Sequence, residues 1–163
     1  MKIIDIYTDG SHLDKLNNGR LGCGGVMVDR TTGKLLDEFG EELTPDFMKK
    51  EFGADKCSNP TAEMVGLLYA LRKFNIPKDV DLVVCYADFV GVKSWMQGDW
   101  QCKEPYLKKV KEAIDKEINK KGLRGKMQYE WVKAHQTKAA IRTDRNAYWN
   151  DQVDSLAKTG KRL

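Results

Sequence analysis

Ile3-Ile4-Asp5-Ile6-Tyr7-Thr8-Asp9-Gly10-Ser11, near the start of the chain, decides the fold. The apolar run predicts a strand over residues 2–8. Asp9 then stands at its carboxyl end, with a turn expected at Gly10-Ser11. In open α/β sheets that end of a strand is where ligands gather. One aspartate in this position is ordinarily a turn residue, so the reading depends on what else reaches the same point.

The next stretches complete a meander. Gly22 to Val28 reads as a second strand, Thr31-Thr32-Gly33 as a turn, and residues 34–41 as a third strand running back. Residues 44–58 are polar and irregular, with at most one helical turn expected. Ser58-Asn59-Pro60 has the form of a helix start. Met64, Leu67, Leu68 and Leu71 follow at the spacing of one buried helical stripe. Residues 81–87 are almost continuously apolar, as in a buried parallel strand, and Asp88 follows directly.

Three further helices are predicted, over 89–97, 104–121 and 147–159, with a last strand over 127–133. Residues 136–148 read as a basic loop. Leu107, Val110, Ile114 and Ile118 mark the inner face of the second of these helices; Trp149, Val153, Leu156 and Ala157 mark that of the third. The order β-β-β-α-β-α-α-β-α predicts an α/β fold: a mixed five-stranded sheet, a three-strand antiparallel meander joined to parallel strands, flanked by helices. With 163 residues and no linker, residues 1–163 are expected to form one domain.

Composition excludes several classes. There is no apolar run long enough for a membrane span and no secretory leader pattern. Cys23, Cys57, Cys85 and Cys102 are scattered without a C-x-x-C pair, which argues against zinc and against a redox dithiol. Cys23 and Cys85 are expected in the core as small hydrophobes. Reduced thiols and no leader predict a cytoplasmic setting. The net charge of +4 permits a nucleic-acid partner without requiring one. The lysines of 103–126 read first as a solvated helix face and, alternatively, as a weak phosphate-binding surface.

If the strands ending at Asp9 and Asp88 lie parallel and adjacent, both carboxylates emerge at one sheet edge. Glu63, expected in the first turn of its helix, and Asp154, beside the buried stripe of the last helix, can reach the same edge. Asp151 and Asp144 compete with Asp154 for the fourth place. Converging carboxylates repel unless divalent cations lie between them.

Together these blocks resemble the ribonuclease HI family. The matching motifs are Thr8-Asp9-Gly10-Ser11, Ser58-Asn59-x-x-Ala62-Glu63, the strand ending in Asp88, Trp131-Val132-Lys133-Ala134-His135, and Asn150-x-x-x-Asp154-x-Leu156-Ala157. They occur in the family's order across residues 3–158. Asp88-Phe89-x-Gly91-Val92-x-x-Trp95-x-x-Gly98-x-Trp100 is similar to the bacterial and viral branch often joined to a viroplasmin-like hybrid-binding module, absent here. The family's usual serine and tyrosine after the third aspartate are also absent, as is a full basic handle between Gln97 and Pro105.

The resemblance implies endonucleolytic hydrolysis of the RNA strand of an RNA–DNA hybrid, leaving 5′-phosphate and 3′-hydroxyl ends. It implies two Mg²⁺ ions, with Mn²⁺ as a substitute, held by Asp9, Glu63, Asp88 and Asp154. Asp9 would bridge the ions, and His135 would assist proton transfer or product release, since imidazole titrates near neutral pH. Gly10, Ser11, Ser58, Asn59 and Asn150 would contact substrate. Other nucleases and integrase-like enzymes share such a fold, and a hybrid-binding protein without catalysis is a further alternative. Met1 at the start and Leu163 just past the last helix suggest a free-standing monomer.

Overall fold

A computed structural model describes residues 1–12, 21–54 and 58–159. It contains the strands β1 (Ile3–His12), β2 (Leu21–Asp29), β3 (Leu35–Leu43), β4 (Leu82–Ala87) and β5 (Met127–Trp131). The helices are α1 (Pro45–Phe52), α2 (Asn59–Lys73), α3 (Val90–Gln97), α4 (Pro105–Lys120), α5 (Lys138–Thr143) and α6 (Arg145–Thr159). The strands form one sheet in the order β3-β2-β1-β4-β5. β1, β2 and β3 pair antiparallel, whereas β4 runs parallel to both β1 and β5. This is the expected mixed sheet, and it makes Asp9 and Asp88 neighbours.

Strand alternation divides the core. Ile4 and Ile6 face a cluster with Leu67, Leu68 and Leu71 of α2 and Val110 and Ile114 of α4. Tyr7, Val26, Val84 and Tyr86 point the other way and meet Val153 and Leu156 of α6. The predicted helix stripes are buried as the spacing required, except that Trp149 is only partly buried, and Cys23 and Cys85 are buried free thiols. Cys57 lies outside the described residues. Among the described residues no helix is long and apolar enough to cross a membrane.

Four expectations need correction. β1 does not turn at Gly10-Ser11; it continues to His12, with Gly10 opposite Cys23 and Ser11 opposite Gly22. The glycine-rich β2 supplies a backbone ladder for these residues, and that pairing overrides the local turn preference. The polar segment before α2 holds a two-turn helix, α1. Thr44 caps it through a hydrogen bond from the Phe47 amide, Pro45 opens it, and left-handed Gly53 closes it. The segment 136–148 is not a plain loop, because Thr137 caps α5 by accepting from the Ala140 amide. Finally, Glu63 is the fifth residue of α2, beyond its first turn, so the helix dipole does not account for it.

Gly10 has a packing role instead. A Cβ there would stand 2.5 Å from both the Ala62 carbonyl carbon and the Glu63 amide nitrogen. The absent side chain lets α2 press its backbone onto β1. Gly24, opposite Asp9 in the sheet, does the same for α6: a Cβ there would lie 2.8 Å from the Leu156 Cβ and 2.9 Å from the Ala157 nitrogen. Gly10→Ala is expected to cost about 1–3 kcal/mol as an overpacked contact. Urea unfolding measures this, and an unchanged midpoint would show that α2 is not held by that approach.

Candidate active site

β1 outruns β4. Their last paired residues are Tyr7 and Tyr86, so Asp9 lies just past the end of the parallel ladder, beside Asp88. Asp88 is held from β5. The Val132 amide donates to the Ala87 carbonyl at 3.0 Å, and Trp131 Nε1 donates to the Asp88 carbonyl at 3.0 Å. The role of Trp131 as a backbone clamp was not evident from the sequence, where it figured only within the last strand and as the first residue of the His135 block.

Asp9, Glu63 and Asp88 each offer a carboxylate oxygen, and these three atoms lie within 4.8 Å of one another. Asp9 and Glu63 are buried. Burial, then the charges of Glu63 and Asp88, hold the Asp9 carboxyl far above the usual carboxylate range. Glu63 is also raised, by burial first; hydrogen bonds from Asp9 and the Gly10 amide pull the other way. Asp88 is raised by burial, against a hydrogen bond from the Asn150 amide. Glu63 Oε2 is buried with no hydrogen-bond partner among the described residues.

Asp154 stands outside that trio but near enough to push the Asp9 carboxyl up further, and it carries an ion pair with Lys158 at 2.8 Å, one turn along α6. Its competitors are differently situated. Asp144 is occupied as a helix cap, accepting from the Ala147 amide at 3.0 Å. Asp151 is exposed, although it lines the same cavity of about 320 Å³ as Asp88, Asn150 and Asp154. His135 lines that cavity too, on an exposed, left-handed backbone (φ 53°).

The expected substrate residues are less uniform. Asn150 is buried; its amide nitrogen reaches Asp88 Oδ2 at 3.5 Å and its Oδ1 has no partner among the described residues. Ser58 is the cap of α2, with its hydroxyl 2.9 Å from Thr61 Oγ1 and accepting from the Thr61 amide. Asn59 begins α2, but its side chain lies outside the described ones, as does that of His12. Ser11 is half-buried in β1. The space above Gly10 is filled by α2, so this glycine serves the Glu63 helix rather than leaving room for a ligand.

The residues fit a divalent cation. Hard cations take carboxylate oxygens, and a cation would satisfy the orphaned Glu63 oxygen and relieve the mutual repulsion.

A mixed sheet of this order, with helices on both faces and its acids where β1 and β4 meet, is the ribonuclease H-like fold. Among solved structures, RNase H1 from the halophilic archaeon Halobacterium salinarum NRC-1 is 20% identical, with 97% of this chain and 96% of that one covered and a TM-score of 0.66. LC11-RNase H1, isolated from compost by a metagenomic approach, is 22% identical, with 99% and 96% covered and a TM-score of 0.71. A second structure of LC11-RNase H1, in complex with an RNA/DNA hybrid, gives 21% identity, 96% and 97% coverage and a TM-score of 0.65. No curated protein matched the sequence. The RNase H family model matches residues 1–162, so the chain belongs to the RNase H family and is a ribonuclease H enzyme by class.

Raised carboxyl groups bind protons more tightly in the folded than in the unfolded chain. Their contribution to stability is present below the unfolded carboxylate range, near pH 4, and is lost as pH rises through the folded values. The metal-free protein should therefore lose stability above about pH 4, and Asp9→Asn should raise its Tm at pH 7 by roughly 2–4 °C for each kcal/mol of repulsion removed. Calorimetry in chelator tests this. A lowered Tm in Asp9→Asn would mean the carboxylate is a structural partner.

Proposed function

We propose that the protein cleaves the RNA strand of RNA–DNA hybrids internally, leaving 5′-phosphate and 3′-hydroxyl ends, by a two-metal-ion reaction. The observation that carries this is the convergence of Asp9, Glu63 and Asp88 on one point, two of them buried and none ion-paired with a basic side chain among the described residues. Membership of the RNase H family supports the substrate, as does the hybrid seen with LC11-RNase H1.

Asp9, Glu63, Asp88 and Asp154 would hold the ions, with Asp9 shared between them. Mg²⁺, or Mn²⁺ in its place, supplies Lewis-acid stabilisation of the attacking and leaving oxygens when bound. The chain does the rest. Asn150 donates to Asp88 and helps fix its carboxylate, and it would meet substrate from the wall of the cavity it lines. His135, on the cavity wall, exchanges a proton with the leaving oxygen or the departing product. Ser58, Asn59 and Ser11 stand near the α2 end of the site, where the nucleic-acid backbone would pass. Lys103 and Lys108 border a separate groove of about 580 Å³ with Trp95 and Trp100, a second and weaker place for phosphates. There Lys111 is already paired with Asp115 at 3.1 Å.

A labelled hybrid with Mg²⁺, Mn²⁺ or chelator tests the reading. Asp9→Asn should lose at least about a thousandfold in rate, the scale of several kcal/mol of transition-state stabilisation, while remaining folded. Near-normal cleavage by that variant would end the assignment. Asp154→Ala should lose much more activity than Asp151→Ala. The reverse ranking would move the fourth ligand to Asp151.

A further inference from the structure

α5 is a short helix inserted between His135 and α6. It buries none of its residues in the core. An exposed helix of one and a half turns contributes little to stability by itself, yet this one is capped at both ends. Thr137 accepts from the Ala140 amide at 3.1 Å, and the Asp144 amide donates to the Ala140 carbonyl at 2.7 Å.

Its outward face is specific. Lys138, Ile141 and Arg142 stand at i, i+3 and i+4, which places them on one side of the helix. Ile141 lines the same cavity as Asp88, His135 and Asp154. Lys138 and Arg142 share the side of α5 from which Ile141 reaches the cavity, without lining it themselves. Both are exposed, and neither has an ion-pair partner among the described residues. By contrast, Arg145 just beyond them lies 4.0 Å from the buried Asp5. Lys158, the basic residue that lines the cavity, is already paired with Asp154 at 2.8 Å, which leaves Lys138 and Arg142 as exposed cations on the same side of α5 as an apolar contact. A nucleic-acid backbone, with phosphates flanking sugars, has the complementary pattern.

We infer that α5 is a substrate-gripping element: Lys138 and Arg142 hold phosphates of the nucleic-acid backbone on the His135 side of the cut, and Ile141 packs against the sugar between them. The inference rests on the hybrid-cleaving reading above. The side chains carry it, not the end of so short a helix. A free anion such as inorganic phosphate would not need the apolar contact. A second protein would be expected to cover Ile141 without a dependence on salt, and the same experiment separates these occupants.

The test compares the intact protein with a Lys138→Gln/Arg142→Gln double variant and with Ile141→Ala. Binding and cleavage of a hybrid are measured across a salt series, and Mg²⁺ binding and Tm are measured in parallel. Neutralising two phosphate contacts should reduce the slope of log K against log salt by about 1.5–2. It should raise KM about tenfold near physiological salt, with kcat, Mg²⁺ binding and Tm retained. Ile141→Ala should raise KM with the salt slope unchanged. An unchanged slope and KM in the double variant would overturn the inference, as would a loss confined to kcat. An unmodified protein that neither binds nor cuts hybrid would instead refute the functional reading on which the inference rests.

Discussion

The structure depends on two helices lying almost directly on the backbone of neighbouring strands. Gly10 admits α2 on one face of the sheet, and Gly24, across the ladder from Asp9, admits α6 on the other. A methyl group at either place would push a helix away. Such a shift would move Glu63 or Asp154, because each side chain is set by where its helix rests. The site is therefore built from both layers around a single strand residue. Its dimensions follow from backbone contact rather than from the flexible reach of long side chains.

The same strand carries an internal control. Asp5 and Asp9 point to the same side of β1, and both are buried. Asp5 is gripped by Arg30 through hydrogen bonds of 3.0 and 2.7 Å, and Arg30 also donates to the Tyr86 hydroxyl at 2.8 Å. Tyr86 stacks on Tyr7, whose hydroxyl donates to Asn146 at the start of α6. Asp5 is thus a satisfied structural anion within a polar cluster. Asp9 has other acids for company. Two buried aspartates four residues apart reach opposite electrostatic solutions, and the one left uncompensated is the one beside the cavity.

The sheet and its core were legible because periodicity reports burial directly. The leucine stripe of α2 and the apolar run of β4 leave few alternatives. The carboxylates were legible only as a set, since each alone is an ordinary turn or helix residue. What escaped was decided by partners distant in sequence. Gly10 carries an ordinary turn signal, and only the pairing with β2 and the press of α2 show it as a packing residue. α1 and α5 are too short and polar for periodicity to reveal; Thr44 and Thr137 were the available signals, as capping residues ahead of Pro45 and Lys138. The clamp of Trp131 on Asp88 joins residues far apart in the chain, and nothing local announces it.

One residue separates α5 from α6. Asp144 closes the first helix with its amide and opens the second, where its side chain accepts from Ala147 and its carbonyl from Tyr148. The exit direction of α5 is consequently fixed by the helix that bears Asn150 and Asp154. A loop of the same length would have to surrender its conformational freedom each time a ligand arrived, at a cost that subtracts from affinity. Here that ordering is completed during folding. Whatever meets Lys138 and Arg142 encounters groups whose backbone is already at rest with respect to the acidic centre, so recognition and chemistry share one rigid frame.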